Sequence, residues 1–180
     1  TLDPSATGIL PIALGEATKT MPYVIDSSKR YTFTVNWGTR TETDDADGDV
    51  VETSDARPDR AAIEAALPAF VGAIAQVPPA YSAIKIDGER AYAKARAGED
   101  LNLEARTVDI MGFDLIETID ASRARFAVRS GKGAYMRALA RDLAAALGTA
   151  GHLSDLRRVA VGPFAESASI SLEMLEELGH

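Results

Sequence analysis

The chain has 180 residues, of which 46% are hydrophobic and 26% charged, and its net charge is −8. These proportions are typical of one globular domain, and no apolar run approaches the roughly eighteen residues that a membrane-spanning helix needs. The chain contains no cysteine and two histidines, which excludes disulfides, thiolate metal ligands and a histidine-rich metal site. A chain without cysteine fits a reducing compartment, and we predict a cytoplasmic location.

The first half of the chain predicts loops, two helices and one strand. The proline after Asp3 disfavours helical backbone at Asp3, so the chain is predicted to start in an extended or turning conformation. Apolar and polar side chains alternate from Tyr31 to Trp37, which is typical of a half-buried strand. The predicted elements are a loop at 3–8, a helix at 16–26 that Pro22 ends or kinks, a strand at 31–37, an acidic loop or hairpin end at 39–49 and a helix at 58–71 stopped by Gly72.

The second half predicts more strands than helices. Ala124, Phe126 and Val128 share one face of a predicted strand, and residues 134–147 carry apolar side chains at helical spacing. The predicted elements are extended residues 73–86, a turn at Asp87-Gly88, a helix at 89–97, strands at 105–118 and 123–129, a helix at 134–147, a strand at 156–161 and a last helix capped by Ser171. Because strands and helices do not alternate regularly, we predict an α+β domain with a mixed, largely antiparallel sheet.

Charge is segregated along the chain. Residues 123–158 hold eight basic and two acidic side chains, a net charge of +6, whereas residues 42–64 hold nine acids and two arginines, a net charge of −7. A concentrated basic segment can bind phosphate despite the negative total, because salt screens charges beyond about 10 Å. The alternative is an ordinary solvated basic face.

The opening residues contain one isolated carboxylate, Asp3, in apolar surroundings. A carboxylate on a constrained loop, away from other charge, is suited to act as a nucleophile or general base. Asp-Pro is also a common turn, so the residues by themselves leave both interpretations open.

Five sequence blocks occur in order along nearly the whole chain. They are Thr1 to Pro11, Gly15 to Lys19, Lys29-Arg30-Tyr31, Pro78 to Lys85 and Lys132-Gly133-Ala134-Tyr135-Met136-Arg137. Their order and spacing resemble the bacterial tRNA pseudouridine synthase B family. The resemblance implies the pseudouridine synthase fold, with helices flanking the sheet and an active-site cleft. It also implies an isomerase that converts the T-loop uridine (position 55) of tRNA to pseudouridine without a cofactor or a metal.

Members of this family also carry a Lys-Pro-x-Gly segment and a Gly-His-x-Gly turn before the catalytic loop, and usually a C-terminal RNA-binding PUA domain. The sequence has none of these, so we expect residues 1–180 to be one catalytic domain that is incomplete at its N-terminus and has no PUA domain. The resemblance further implies the T-arm stem-loop of tRNA as the partner. No membrane or protein partner is evident from the sequence, and we expect a monomer.

The resemblance assigns roles to individual residues. It makes Asp3 the catalytic carboxylate, pairs Arg137 with it, and places the Tyr31 ring against the flipped target base. Tyr135 and Leu156 match positions that line the same pocket. Candidate phosphate contacts are Lys19, Lys29, Arg30, Lys132, Arg157 and Arg158.

The residue pattern by itself supports simpler interpretations of the same side chains. Arg137 and Arg141 are four residues apart, so both could lie on one solvent-exposed helix face. Tyr31 could pack beside Phe33 within its strand, and Leu156 could be an ordinary core residue.

Two other functions stay open at this point. An RNA-binding or chaperone module that holds tRNA without chemistry would use the same basic segment. A guide-RNA-dependent enzyme of the dyskerin type shares the Asp loop, although Gly15 to Lys19 resembles the stand-alone bacterial type. The acidic run 43–49 resembles a calcium loop, but Ser54 stands where an EF-hand needs glutamate, and we interpret it as a loop or hairpin near the cleft.

Overall fold

The computed structural model describes residues 2–82, 84–86, 89–97, 101 and 103–178. The turn predicted at Asp87-Gly88 lies outside the described residues. In the part of the chain that is described, no helix is long and apolar enough to cross a membrane.

A mixed sheet, seven-stranded over the described residues, forms the centre of the protein. The strands are β1 (Thr7–Gly8), β2 (Lys29–Trp37), β3 (Thr39–Thr41), β4 (Val50–Thr53), β5 (Gly72–Gln76), β6 (Lys85–Ile86), β7 (Glu89–Arg90), β8 (Arg106–Asp120), β9 (Arg123–Ser130), β10 (Gly151–Val161) and β11 (Phe164–Ala165). The central sheet has the order β1-β10-β2-β9-β8-β5, with β11 paired to β10, whereas β3–β4 and β6–β7 form separate hairpins. The β1–β10 pair is parallel and the other described pairs are antiparallel, as the α+β prediction expected.

Helices flank this sheet. The α-helices are α1 (Met21–Asp26), α2 (Arg60–Ala66), α3 (Ala91–Arg96), α4 (Met136–Ala146) and α5 (Leu172–Leu178), with 3₁₀ turns at Gly15–Thr20, Leu67–Phe70 and Glu166–Ala168. The helix predicted over residues 16–26 is present in two parts, a 3₁₀ turn at Gly15–Thr20 and α1, and Pro22 lies in the first turn of α1, where its missing N–H has no cost. Asp59 caps α2 by accepting a hydrogen bond from the Ala62 N–H. Ser171 caps α5 in the same way, as predicted, by accepting one from the Met174 N–H.

The core lies between one face of the sheet and helices α2 and α4. Phe33, Phe113 and Phe126, from three neighbouring strands, form an aromatic cluster with ring centroids 5.4–6.1 Å apart. The predicted apolar faces of β2 and β9 are confirmed, since Phe33 and Phe126 are buried in the core, but Thr34 on the opposite face of β2 is buried as well. β10 begins five residues before the predicted strand, and its extra length pairs with the end of β2.

Candidate active site

The Asp3 carboxylate and the Arg137 guanidinium form a bidentate ion pair. Arg137 Nε donates to Asp3 Oδ2 at 2.9 Å and Arg137 Nη2 donates to Asp3 Oδ1 at 2.8 Å. Arg137 lies in the first turn of α4, 134 positions along the chain from Asp3. The Arg137 side chain is 6% exposed and that of Asp3 is 23% exposed. The carboxylate is thus held in one orientation, yet part of it remains open to a ligand.

Arg137 also binds two loops. Its Nη1 donates to the Thr43 carbonyl and its Nη2 to the Tyr81 carbonyl, both at 2.9 Å. A second carboxylate, Asp45, places Oδ2 3.4 Å from Arg137 Nη1. Asp45 is itself oriented by the Thr43 hydroxyl, which donates to its Oδ1 at 2.6 Å. Arg137 therefore shares its charge between two carboxylates and takes its orientation from three parts of the chain.

The loop that carries Asp3 is fastened to the edge of the sheet. Gly8 in β1 lies opposite Arg158 in β10, and the Ile9 N–H donates to the Arg158 carbonyl at 2.8 Å. Gly8 has a φ of 99°, and a Cβ at this position would overlap the Arg158 carbonyl. Only glycine allows this backbone conformation together with this close approach, so Gly8 determines how the chain passes from Asp3 into the sheet.

Arg158, a candidate phosphate contact, takes part in holding the loop that carries Asp3. Its side chain is buried, and its Nε donates to the Ile9 carbonyl at 2.8 Å. Its role as a phosphate contact stays a prediction.

Two tyrosines lie near Asp3. Tyr31 in β2 stands opposite Arg158, and its side chain packs against the core. Burial raises the pKa of the Tyr31 phenol, a hydrogen bond from Arg158 opposes the rise, and the negative charge of Asp3 adds to it. Burial also raises the pKa of the Tyr135 phenol, again with a contribution from Asp3. Both phenols are therefore neutral near pH 7 and close enough to Asp3 to sense its charge.

Gln76, which the sequence prediction did not include, fixes the start of α4. The Tyr135 N–H donates to Gln76 Oε1 at 2.8 Å, and Gln76 Nε2 donates to the Tyr135 carbonyl at 3.1 Å. The Gln76 side chain is fully buried at the end of β5. These two bonds position the residue before α4 and hence the direction in which Arg137 leaves the helix. The available signal was one amide side chain two residues before the Pro78-Pro79 block.

The two oppositely charged segments of the sequence bind each other. Arg141 Nη1 donates to Asp44 Oδ2 at 2.8 Å, next to the contact between Arg137 and Asp45. Burial raises the pKa of the Asp44 carboxyl, and the charge of Arg141 opposes that rise. The prediction of an exposed helix face for Arg137 and Arg141 is wrong, because both side chains turn inward to these acids. The hairpin predicted for the acidic run is present as β3 and β4.

The remaining predicted site residues lie outside the hydrogen-bond network of Asp3. Lys19, Lys132 and Arg157 are exposed and form ion pairs with Glu16, Asp26 and Glu166, respectively. Leu156 is buried within the hydrophobic core. Their roles as RNA contacts and as a pocket residue stay predictions.

Two shallow cavities of about 600 Å³ each lie elsewhere on the surface. One is lined by Leu67 and Phe113, and the other lies between Arg40, Arg141 and Thr149. Neither is lined by Asp3, so the carboxylate lies on a part of the surface distinct from both.

Family models account for the whole chain. Residues 1–136 match the model described as "TruB family pseudouridylate synthase (N terminal domain)", and residues 137–180 match the model described as "tRNA pseudouridylate synthase B C-terminal domain". The boundary between them falls inside α4, directly before Arg137. β10, which belongs to the second match, pairs with β1 and β2 of the first, so the two matched regions share one sheet.

Curated relatives carry the name tRNA pseudouridine synthase B. The chain is 54% identical over 180 residues to the one from Caulobacter vibrioides, covering all of this chain and 58% of that protein. It is 58% identical over 175 residues to the one from Gluconacetobacter diazotrophicus, covering 97% of this chain and 57% of that protein. The chain therefore spans somewhat over half the length of these relatives.

Solved structures share the fold. A chain in "Crystal Structure of a Cbf5-Nop10-Gar1 Complex" superposes with a TM-score of 0.72 at 28% identity, covering 98% of this chain and 43% of that chain. A chain in "Structure of H/ACA RNP bound to a substrate RNA containing 2'-deoxyuridine" gives a TM-score of 0.68 at 24% identity, covering 99% of this chain and 45% of that chain. At this identity the second likeness concerns the fold alone.

Proposed function

Because the chain belongs to the TruB family of pseudouridylate synthases, we propose that it forms the catalytic core of an enzyme that isomerises a uridine of tRNA to pseudouridine. The proposed target is the T-loop uridine at position 55, and the proposed partner is the T-arm stem-loop. Whole-chain identity to relatives named tRNA pseudouridine synthase B supports this choice over a guide-RNA-dependent enzyme.

The observation that carries the proposal is the bidentate pair between Asp3 and Arg137. An oriented carboxylate that is still 23% exposed suits attack on a bound nucleoside better than it suits a purely structural ion pair. Its partner guanidinium is almost fully buried and keeps four hydrogen bonds. A carboxylate held in this way enters the reaction without having to be oriented again.

The reaction breaks the N1–C1′ bond of uridine, rotates the uracil and joins its C5 to C1′; C5 loses its proton and N1 gains one, so the product is an isomer of the substrate. Asp3 can act as a nucleophile at the sugar or at the base, or as a base that removes the C2′ proton to give a glycal. Arg137 keeps the Asp3 carboxylate oriented in each of these routes. Part-buried surroundings also limit the access of water to the detached uracil.

The two tyrosines are proposed to receive the target base. A uridine within a folded RNA loop must be extruded before its glycosidic bond can be reached, and stacking on an aromatic side chain contributes about 1–3 kcal/mol per base. Tyr31 is the proposed stacking residue, and Tyr135 the proposed wall beside it. Support comes from their position within the electrostatic range of Asp3.

Four further expectations are part of the same proposal. Residues 1–180 act as one catalytic domain, since β1, β2 and β10 are adjacent strands of one sheet. The protein works in the cytoplasm, where tRNA is modified, and it acts as a monomer. Lys19, Lys132 and Arg157 are exposed and could exchange their carboxylate partners for phosphates.

The test measures release of tritium from uracil C5 of an unmodified tRNA transcript, because formation of the C5–C1′ bond displaces that hydrogen. We expect release with the full-length wild-type protein, none with Asp3→Asn, and wild-type release with Asp114→Asn, which makes the same charge change at an exposed strand position. A transcript with cytidine at position 55 should release no tritium above background.

The alternatives predict different results in the same assay. A pure RNA-binding module would bind the transcript and release no tritium with either protein. A guide-dependent enzyme would release tritium only after a guide RNA is added. Equal release by wild type and Asp3→Asn would refute the assignment of Asp3.

A further inference from the structure

We propose that Arg141 is a positioning residue for the pair formed by Asp3 and Arg137. It holds the two loops whose carbonyl groups accept hydrogen bonds from Arg137. The expected effect on catalysis rests on the proposed function, whereas the expected effect on the position of Arg137 does not.

The contacts of Arg141 reach the same two loops that Arg137 binds. Arg141 Nη1 donates to Asp44 Oδ2 and Arg141 Nη2 donates to the Val77 carbonyl, both at 2.8 Å. Asp44 directly follows Thr43, whose carbonyl accepts from Arg137. Val77 begins the segment that ends at Tyr81, whose carbonyl is the other backbone acceptor of Arg137.

The segment between Val77 and Tyr81 is built to transmit this position. It contains Pro78 and Pro79, both buried, and proline restricts the backbone of its own residue and of the residue before it. A displacement of the Val77 carbonyl would therefore carry over to the Tyr81 carbonyl. Gln76 directly precedes this segment, and its side chain is hydrogen-bonded to Tyr135, the residue before α4.

The second loop is equally constrained. Asp44 adopts a φ of 59°, a left-handed conformation that non-glycine residues rarely adopt, and its side chain is 6% exposed. The Asp44 carbonyl accepts from the Leu153 N–H of β10 at 3.0 Å. Arg141 thus stabilises a backbone conformation that has its own energetic cost, at the residue beside the Thr43 carbonyl.

The spacing of the two arginines explains why one helix can perform both tasks. Residues four apart lie on one face of an α-helix, one turn from each other. Arg137 binds Asp3 and the carbonyls of Thr43 and Tyr81. Arg141 binds Asp44, which follows Thr43, and the Val77 carbonyl, four residues before Tyr81. Arg141 touches neither Asp3 nor Arg137 in the described hydrogen bonds and ion pairs, and the contacts that link it to their site are those with the two loops.

The first measurement is single-turnover pseudouridine formation with tRNA in saturating amount, together with the Kd for tRNA. For Arg141→Met we expect the rate to fall by about tenfold or more while the Kd stays within about threefold. Arg141→Lys should lose less, because an ammonium can keep the Asp44 contact but cannot at the same time replace the hydrogen bond to the Val77 carbonyl. Arg60→Met is the matched control, since it breaks the exposed pair with Glu64, outside the basic segment 123–158, and should leave the rate unchanged.

The second measurement does not depend on catalysis. The melting temperatures of Arg141→Met, Arg137→Met and the double variant form a cycle, and we expect the double variant to lose less than the sum of the single losses. Additive losses would overturn the proposal even if the protein forms pseudouridine. A protein that forms no pseudouridine but shows the non-additive cycle would refute the proposed function and support the positioning role.

Asp44→Asn covers the case in which Arg141→Met does not fold. This variant keeps the hydrogen bond from Arg141 to the Val77 carbonyl and weakens the contact with the Thr43 loop. We therefore expect a smaller loss of rate than for Arg141→Met, at an unchanged Kd. A wild-type rate for both Asp44→Asn and Arg141→Lys would overturn the proposal. A loss of tRNA affinity that accounts for the whole loss of rate would do so as well.

Discussion

Removal of Arg137 should destabilise the protein more than removal of Asp3, although the two side chains form one ion pair. Arg137→Met leaves the Asp3 and Asp45 carboxylates without their shared cation and two backbone carbonyls without a donor. Asp3→Ala leaves Arg137 with both carbonyls and with Asp45. The guanidinium has several partners, whereas the Asp3 carboxylate is partly hydrated.

The magnitudes follow from burial. Breaking a buried ion pair from one side costs about 3–5 kcal/mol, and the 23% exposure of Asp3 places Arg137→Met at the lower end, about 3 kcal/mol. Loss of Asp3 removes the acceptor of two charged hydrogen bonds, but Arg137 keeps Asp45 and two carbonyls as partners, so we expect about 2 kcal/mol. For a domain of this size, 1 kcal/mol shifts the melting temperature by about 2–4 °C.

The assay is thermal and urea unfolding of wild type, both single variants and the double variant, followed by circular dichroism. We expect the double variant to be no less stable than Arg137→Met, because the carboxylate that lost its partner has also been removed. Arg125→Met, which breaks an exposed pair, should cost less than about 1 kcal/mol. Equal costs for the two single variants, or a larger cost for Asp3→Ala, would refute this account of the network.

Three other variants test separate parts of the structure. Gly8→Ala should lower the free energy of unfolding in urea by at least about 2 kcal/mol, because the φ of Gly8 is positive and a Cβ there would overlap backbone atoms. Gly15→Ala should cost less, since its φ is also positive but the space around it is open. The reverse order would contradict the proposed path of the loop. Burial raises the pKa of Tyr31 above its ordinary 10.0, so the unfolded chain loses the phenol proton first and the free energy of unfolding falls as pH rises above about 10. Tyr31→Phe should make this fall less steep. An unchanged dependence of the unfolding free energy on pH between about pH 9 and 11 would argue against burial of Tyr31. Phe126→Ala should cost about 3–5 kcal/mol by opening a cavity in the aromatic cluster, and a loss below about 1 kcal/mol would be inconsistent with its full burial.

Local pattern was sufficient for the elements that form most of the core. The alternation in β2 and β9 is a direct record of burial on one face, because successive strand residues point to opposite sides. The apolar spacing of α4 and the stop at Gly148 likewise predict a helix that packs on the sheet. The resemblance of the motif blocks identified the family, which the matches along the chain confirm.

Local pattern failed where a side chain's environment depends on distant residues. Arg157 and Arg158 are adjacent in β10, and their side chains point to opposite faces of the sheet. The pairing of β1 with β10 accompanies burial of the Arg158 side chain, whereas the Arg157 side chain is exposed. Gln76 has no marked pattern, and its function became visible only through its two bonds to Tyr135. The charged segments looked like solvated faces because the sequence does not record which segment folds against which.

The sequence by itself determined the family and indicated the central strands β2, β8 and β9, since these depend on residue type and short spacing, and it predicted Asp3 as the catalytic carboxylate. The tertiary structure alone decided that the acidic loop and the basic helix neutralise each other, and that Arg137 reaches Asp3, Thr43 and Tyr81 at once. The physical reason is that a buried charge needs partners in three dimensions, and these partners come from loops that each lie more than fifty residues from Arg137 in the chain.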